Sequence, residues 1–393
     1  MSAAALRRGI VEHHGLLIVV IVVAITFIRV VIVADALMYE SSSGDIGRYY
    51  EIATGGIPYR DQAVEYPPMA VLVIDALHAV APARHAFGLA VIVMMALADV
   101  MLCVLMWRTF GPALGTTFLV VDTLLFVVLI TRMDVLPTLL AAVFMIERTR
   151  RPVAAAFSWV LAVGLKLWPV VLGVFMLDRT TPRRRAVITG LIGCAVLSLS
   201  WVLLAGGKGL GDVVTYRGAH GWQMESVVGA VLRTLTKARV QIDQGAARLG
   251  TVPPVVGPAL LALGAAAGLA LSSLATRRGQ WGTGWLAGVL CLLVTSTLLS
   301  PQFLVWATPG AALALFETRA AMWAALAFIA AAGLTTLEYN LYGSLFDGDA
   351  SVQALLLIRN ALLIAALALA VRALTGPGDV RHWQARLRPE RLR

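Results

Sequence analysis

Long apolar runs recur along the whole chain and are separated by shorter polar segments. A helix needs roughly 20 apolar residues to cross a bilayer, and most of these runs reach or approach that length. They lack the alternation of barrel strands, so the pattern predicts helices. We therefore expect an all-α, polytopic integral membrane protein with about twelve transmembrane helices. The predicted spans are residues 16–34, 69–82, 86–107, 113–131, 134–146, 153–177, 186–205, 255–274, 283–299, 302–316, 320–337 and 352–374.

The second, fifth and tenth of these spans are too short for a straight crossing. We expect them to lie beside a cavity or to cross only part of the bilayer. No polar linker divides the apolar pattern, so residues 1–393 are predicted to form a single membrane-embedded domain. This domain carries two large outer loops, residues 35–68 and 206–254, and a basic cytoplasmic tail, residues 375–393.

Composition supports a membrane protein and indicates its orientation. A mean hydropathy of +0.83 with 14% charged residues lies outside the range of soluble domains. The net charge of +10 includes basic segments at 179–185 and 277–278, which the positive-inside rule assigns to the cytoplasm. Arg148, Arg150 and Arg151 conflict with this rule, because a twelve-span topology puts them outside. The basic surface is expected to meet anionic lipid headgroups and not nucleic acid.

The loop from Gly44 to Pro68 is dense in polar residues although it lies between two apolar runs. Its leading candidate is Asp45, because an ionised carboxylate at the mouth of a cavity can take a proton from a hydroxyl nucleophile. Its aromatic and acidic neighbours are expected to bind substrate. The alternative is that the tyrosines form an interfacial belt and the acids pair with Arg48 and Arg60. These neighbours are Tyr49, Tyr59, Asp61, Glu65 and Tyr66.

Fixed positive charge is expected near the same site. Lys166 lies within an apolar run, where an ionisable group indicates a functional site; pairing with Asp122 or Asp134 is the structural alternative. Arg29, near the outer end of the first span, is a second candidate for binding a phosphate. No cluster of metal-ligating residues shows suitable spacing and no Gly-rich loop follows a strand, so neither a metal nor a nucleotide cofactor is expected.

Four separated pieces of the sequence resemble the GT-C glycosyltransferases, specifically glycosyltransferase family 87, which includes polyprenyl-phosphate-mannose-dependent mannosyltransferases. The order and spacing of these pieces carry the resemblance, which covers nearly the whole chain. The pieces are Asp45 with Pro58-Tyr59-Arg60-Asp61 and Glu65-Tyr66-Pro67-Pro68; Arg132-Met133-Asp134 with Lys166-Leu167-Trp168-Pro169; Gly221-Trp222-Gln223-Met224-Glu225-Ser226; and Ser300-Pro301-Gln302-Phe303-Leu304-Val305-Trp306.

The resemblance implies transfer of one sugar, with inversion, from a polyprenyl-phosphate donor to a hydroxyl of an envelope glycolipid or glycan on the extracytoplasmic face. Asp45 matches the catalytic base of the family. Mannose is the expected sugar and arabinofuranose the second. Further implied contacts are Lys166, Arg217 and His220 with the donor phosphate, and Trp222, Gln223, Glu225 and Gln302 with substrate.

The chain departs from the family in two places. His220 stands where many relatives carry arginine, so Arg217 is expected to supply that charge. Gln302 and Phe303 stand where some relatives carry histidines, so the resemblance does not fix the donor sugar.

Two other function classes stay open. A lipid-linked sugar flippase or secondary transporter also needs intramembrane charges, but the sequence shows no matching pair of interrupted helices. A non-catalytic subunit of an envelope assembly complex is the other.

Overall fold

The computed structural model of the protein describes residues 3–39, 44–178 and 183–376. It confirms the predicted all-α class, and its one sheet is small. Most of the predicted tail, residues 377–393, lies outside the described residues. The helices are α1 (Ala3–Tyr39), α2 (Gly44–Thr54), α3 (Pro68–Val80), α4 (Arg84–Phe110), α5 (Pro112–Thr123), α6 (Phe126–Leu129), α7 (Val135–Glu147), α8 (Pro152–Leu165), α9 (Arg183–Val214), α10 (Val227–Thr236), α11 (Val256–Arg278), α12 (Trp281–Thr295), α13 (Thr308–Ala314), α14 (Arg319–Asn340), α15 (Tyr342–Asp347) and α16 (Ala350–Thr375). The other elements are two 3-10 helices, Trp168–Leu177 and Pro301–Ala307, and strands β1 (Trp222–Gln223), β2 (Gln241–Asp243) and β3 (Ala246–Leu249).

Six of the described helices are long and apolar enough to cross a membrane. They are α4, α11, α14 and α16, with α1 from Gly15 and α9 from Arg184. This architecture is consistent with a polytopic membrane protein, but the predicted number of about twelve spans is wrong. The other apolar runs fold into shorter helices, of which α12 has 15 residues. At 1.5 Å per residue such a helix is only about 22 Å long, less than the roughly 30 Å hydrocarbon core.

The predicted second span, residues 69–82, corresponds to α3, and both ends of α3 lie beside α2. Just before α3 begins, the ring of Tyr66 packs edge-on against Tyr49, with 5.6 Å between ring centroids. Just after it ends, the Tyr50 hydroxyl donates to the carbonyl of Pro82 at 3.1 Å. The segment therefore runs along one end of the helix bundle and does not traverse it.

The predicted sixth span, residues 153–177, is a hairpin of two segments. Helix α8 ends at Leu165, Lys166 is extended with φ −157° and ψ 140°, and the first 3-10 helix then turns back. The indole N–H of Trp159 donates to the carbonyl of Pro169 across the hairpin at 2.7 Å. Asp178, at the far end, pairs with Arg148 at 3.4 Å, so the hairpin starts and finishes beside the end of α7.

A second hairpin is formed by α12, the second 3-10 helix and α13. The carboxylate of Glu317, just after α13, accepts hydrogen bonds from the backbone N–H groups of Gly282 at 2.7 Å and Thr283 at 2.8 Å, at the start of α12. The two hairpins meet where Trp168 stacks on Trp306, with 5.6 Å between ring centroids. This pair of interrupted helices went unrecognised in the sequence because each lies within a nearly continuous apolar run.

The basic residues after α7 lie at the end of the bundle where α12 begins. The guanidinium of Arg148 lies 3.9 Å from the centroid of the Trp281 ring, and Trp281 directly follows the segment that contains Arg277 and Arg278. Two predicted crossings are absent: residues 69–82 do not cross, and residues 153–177 turn back. Without the first crossing, residues 148–151 move to the cytoplasmic side, and without the second, the segments after residue 177 keep their predicted side. The conflict between residues 148–151 and the positive-inside rule therefore disappears.

The two predicted outer loops meet at the opposite end of the bundle, where Arg217 of the second loop pairs with Glu65 of the first at 3.3 Å. The second loop contains the antiparallel sheet, with strand order β1-β3-β2, and α10, whose cap Ser226 accepts from the N–H of Gly229 at 3.1 Å. Arg359 of α16 donates to the carbonyl of Glu225 at 3.0 Å, which ties this loop to the helix bundle.

Candidate functional site

A cavity of about 660 Å³ lies where the tips of both hairpins meet the two outer loops. One part of its wall is polar. Much of the rest is apolar and includes one face of α11 from Gly257 to Ala265. Six side chains that the sequence predicted for the site line it: Asp45, Glu65, Tyr66, Lys166, His220 and Gln302.

Asp45 stands in the first turn of α2, with 28% of its side chain exposed. Its Oδ2 accepts a hydrogen bond from Nε of Arg132, in the turn before α7. The same turn anchors α2, because the backbone N–H of Met133 donates to the Tyr49 hydroxyl at 3.2 Å. Among the described residues, none donates to Oδ1 of Asp45, so this oxygen is available to a ligand in the cavity.

Lys166 reaches the cavity because the chain is extended between α8 and the 3-10 helix. Its Nζ lies 2.8 Å from Oδ1 of Asp134, and the same oxygen accepts the indole N–H of Trp306 at 2.7 Å. The ammonium also lies over the rings of Trp306, Phe303 and Tyr66, at 5.4, 4.9 and 5.6 Å from their centroids. The predicted pairing with Asp134 is thus present, and Lys166 lines the cavity as well.

Glu65 joins the two loops at the cavity wall. Its carboxylate pairs with Arg48 at 3.0 Å and with Arg217 at 3.3 Å. Arg217 is thereby held by a carboxylate and does not line the cavity. His220 is exposed, and its backbone N–H donates to Asp243 at 2.7 Å. Of these candidates, Glu65 and Arg217 are brought together as an ion pair, whereas Glu65 and His220 line the cavity.

Gln223 and Glu225 lie behind the cavity wall and do not line it. The Gln223 amide donates to Glu225 at 2.8 Å and to the Ser300 hydroxyl at 3.1 Å. Burial raises the pKa of Glu225 to about 7, with a smaller contribution from nearby Glu338. Trp222, in β1 opposite Leu249, also lies outside the cavity lining.

Four further predicted residues lie away from the cavity. Tyr49 is buried against Met133, as described above. The Tyr59 hydroxyl donates to the Tyr66 carbonyl at 2.5 Å from a left-handed backbone with φ 67°. Asp61 accepts the N–H of Ile57 at 2.8 Å and so closes a turn of its own loop. These three shape the first loop, whereas the fourth, Arg29, lies deeper in the helix bundle.

Arg29 is enclosed between α1, α4 and α5. Its guanidinium donates to Asp99, to Asp122 at 2.9 Å and to the Cys103 thiol at 3.5 Å. The ligating atoms of Asp99, Cys103 and Asp122 lie within 4.8 Å of one another, a grouping that sequence spacing did not reveal because two helices contribute to it. Since the guanidinium lies among them, these acids already have a cation.

Arg248 and Tyr216 line the cavity and were not selected from the sequence. Arg248 lies in the middle strand β3, opposite Gln223 and Gln241. Tyr216 is in a turn with left-handed φ of 52°, and burial raises its pKa to about 12, helped by the charges of Glu65 and Asp45. The only sequence signal for Arg248 was the basic character of the loop that contains it.

No protein-family model matches this chain, and no curated protein is detectably similar to it.

Proposed function

We propose that this protein is a membrane glycosyltransferase. It moves a sugar, mannose by resemblance, from a polyprenyl-phosphate donor to a hydroxyl of an envelope glycolipid or glycan. The observation that carries the proposal is the cavity itself, which has the Asp45 carboxylate on its polar side and a long apolar wall along α11. A sugar joined to a lipid needs both surfaces in one site.

The chemistry is a single displacement. Oδ1 of Asp45 accepts the proton of the acceptor hydroxyl as its oxygen forms a bond to the anomeric carbon. The bond from that carbon to the phosphate oxygen breaks, so the lipid phosphate leaves with the electron pair and the anomeric configuration inverts. Arg132 donates a hydrogen bond to Oδ2 of Asp45 and thereby orients the carboxylate. Lys166 contributes positive charge at the cavity surface.

The proposal includes an active site on the extracytoplasmic face. It is supported by the position of Arg148, Arg277 and Arg278 at the other end of the bundle, because basic residues favour the cytoplasmic side.

The decisive variant is Asp45→Asn, which keeps the shape and the contact with Arg132 but removes the base. We expect transfer from labelled polyprenyl-phosphate-mannose to fall by about 10²–10⁴-fold, with the thermal unfolding midpoint in detergent retained. Glu51→Gln is the matched control, since it removes an exposed carboxylate from the same helix. A parallel incubation with labelled polyprenyl-phosphate-arabinose identifies the sugar. Near-normal turnover by Asp45→Asn would reject the assignment.

A lipid-linked sugar flippase is the second candidate, and the two interrupted hairpins that meet at the cavity favour it. Purified protein in detergent separates the two functions. A glycosyltransferase forms product there, whereas a flippase forms none and needs a sealed membrane.

A further inference from the structure

The charged side chains of the cavity wall are almost all neutralised by neighbours. Asp45, Glu65 and Lys166 each have an oppositely charged partner within 4 Å. Arg248 differs from them, because no carboxylate among the described residues forms an ion pair with its guanidinium. The partners of the neutralised groups are Arg132 for Asp45, Arg48 and Arg217 for Glu65, and Asp134 for Lys166.

Arg248 is buried as well as unpaired. Only 4% of its surface is exposed, and the one hydrogen bond of its side chain to the described residues runs from Nη1 to the carbonyl of Gly221 at 3.1 Å. Nε and Nη2 are buried and have no partner among the described residues. Asp243 is near enough to influence it electrostatically, but that carboxylate accepts the backbone N–H of His220 and lies beyond ion-pair distance. A buried guanidinium with two unpaired donors is costly in free energy, and an anion that accepts from both donors removes this cost.

The surroundings of Arg248 hold it in position. Its strand pairs on both sides, with Gln223 of β1 and Gln241 of β2. The guanidinium carbon lies 5.4 Å from the centroid of the Tyr216 ring, within range of a cation–π contact. A guanidinium fixed in this way presents two donors in one plane, which is the geometry that binds phosphate oxygens.

The rest of the cavity indicates what the anion is attached to. Arg248 shares the cavity with Leu261, Ala262 and Ala265, on one face of α11. These side chains offer no hydrogen bond to a ligand, so they suit an apolar chain. A phosphate group carried by a lipid satisfies both parts of the wall.

We propose that Arg248 is the anion-binding residue of the cavity and that it receives the phosphate of a lipid substrate. This inference rests on the proposed function only for the choice of lipid, since the two unpaired donors of a buried cation favour an anion whatever the reaction is. It moves the main phosphate contact from Lys166, whose charge is shared with Asp134, to an arginine in the small sheet.

The test is a binding measurement that needs no turnover. Purified protein in phosphatidylcholine nanodiscs is titrated with a polyprenyl phosphate, with the uncharged polyprenol of equal length, and with phosphatidylinositol. Arg248→Gln is compared with Arg248→Lys and with Arg239→Gln, an exposed arginine of the same loop that does not line the cavity. We expect Arg248→Gln to weaken polyprenyl phosphate binding by about 10–100-fold and to leave polyprenol binding unchanged. Arg248→Lys restores part of it, and Arg239→Gln has no effect.

The outcomes are distinguishable. Equal loss of polyprenol and polyprenyl phosphate in Arg248→Gln, or no loss of either lipid phosphate, would overturn the proposal. Selective loss of phosphatidylinositol supports Arg248 as the anion site and assigns it to the acceptor phosphate. If Asp45→Asn retained normal sugar transfer while Arg248→Gln lost phosphate binding, the glycosyltransferase mechanism would fail and the anion site would stand.

Discussion

Arg29 and Lys166 are both cations within apolar runs, and the sequence predicts the same role for both. Arg29 lies in the unbroken helix α1 and is enclosed by α4 and α5, where Asp99 and Asp122 neutralise it. Lys166 lies at the break between α8 and a 3-10 helix, with 21% of its side chain exposed at the cavity. Both residues carry a positive charge, but the backbone is helical at Arg29 and extended at Lys166.

The difference follows from what each backbone can do. A continuous helix satisfies its own N–H and C=O groups, so it can pack against lipid and neighbouring helices on all sides, and a charge within it pairs with another helix. An interrupted helix leaves backbone groups that must find other partners, and it is tolerated only where protein or a cavity surrounds it. A cation at such a break is therefore placed to meet a ligand.

The largest expected effect comes from Arg29→Gln. This change leaves the carboxylates of Asp99 and Asp122 buried without their cation, and breaking a buried ion pair in this way costs about 3–5 kcal/mol. We expect low yield and a strongly reduced thermal unfolding midpoint in detergent, with Arg29→Lys less affected. An Arg29→Gln protein of normal stability that had lost only lipid phosphate binding would contradict the structural role.

A smaller effect, on function alone, is expected from the double change Lys166→Gln with Asp134→Asn. Both charges disappear together, so no buried charge is left unpaired, and the side-chain carbonyl oxygen of the introduced asparagine can still accept the indole N–H of Trp306. We expect stability to change by less than about 1 kcal/mol while sugar transfer falls by about 10²-fold. Thermal unfolding and turnover measured on one preparation separate the effect on stability from the effect on sugar transfer. Full activity in the double variant would show that Lys166 is as structural as Arg29.

The long helices could be predicted from the sequence because hydropathy alone determines them. The predicted spans 86–107, 320–337 and 352–374 fall within α4, α14 and α16. The breaks could not be predicted in the same way. Residues 153–177 carry no charge except Lys166, and the turn there depends on contacts between its two arms, such as the hydrogen bond between Trp159 and Pro169.

The candidate site, like the fold, could be predicted only in part from the sequence. Lys166 stands out as a charge within an apolar run, and Asp45 stands out because it lies in a polar loop between two apolar runs. Arg248 does not stand out, because its loop also carries Arg217, Arg233 and Arg239. Arg248 lies at the cavity because the strand register pairs it with Gln223 and Gln241. A shift of one residue would put its side chain on the other face of the sheet, and the sequence of the loop alone does not determine this register.

The smallest expected effect concerns Glu225, whose side chain accepts from the neutral amide of Gln223 and forms no ion pair among the described residues. Burial raises its pKa from 4.5 to about 7 against the opposing charges of Arg359 and Arg132. The folded state therefore holds this proton more tightly than the unfolded state. The stabilisation is fully present below pH 4.5 and is lost as the pH rises through about 7.

Glu225→Gln cannot titrate, so its unfolding midpoint should fall less than that of the wild type between about pH 5 and about pH 8. Glu51→Gln, which removes an exposed carboxylate, is the control for the loss of a carboxylate as such. Equal slopes in the wild type and Glu225→Gln would mean that Glu225 is ionised when folded and belongs with the cation-paired acids around Arg29.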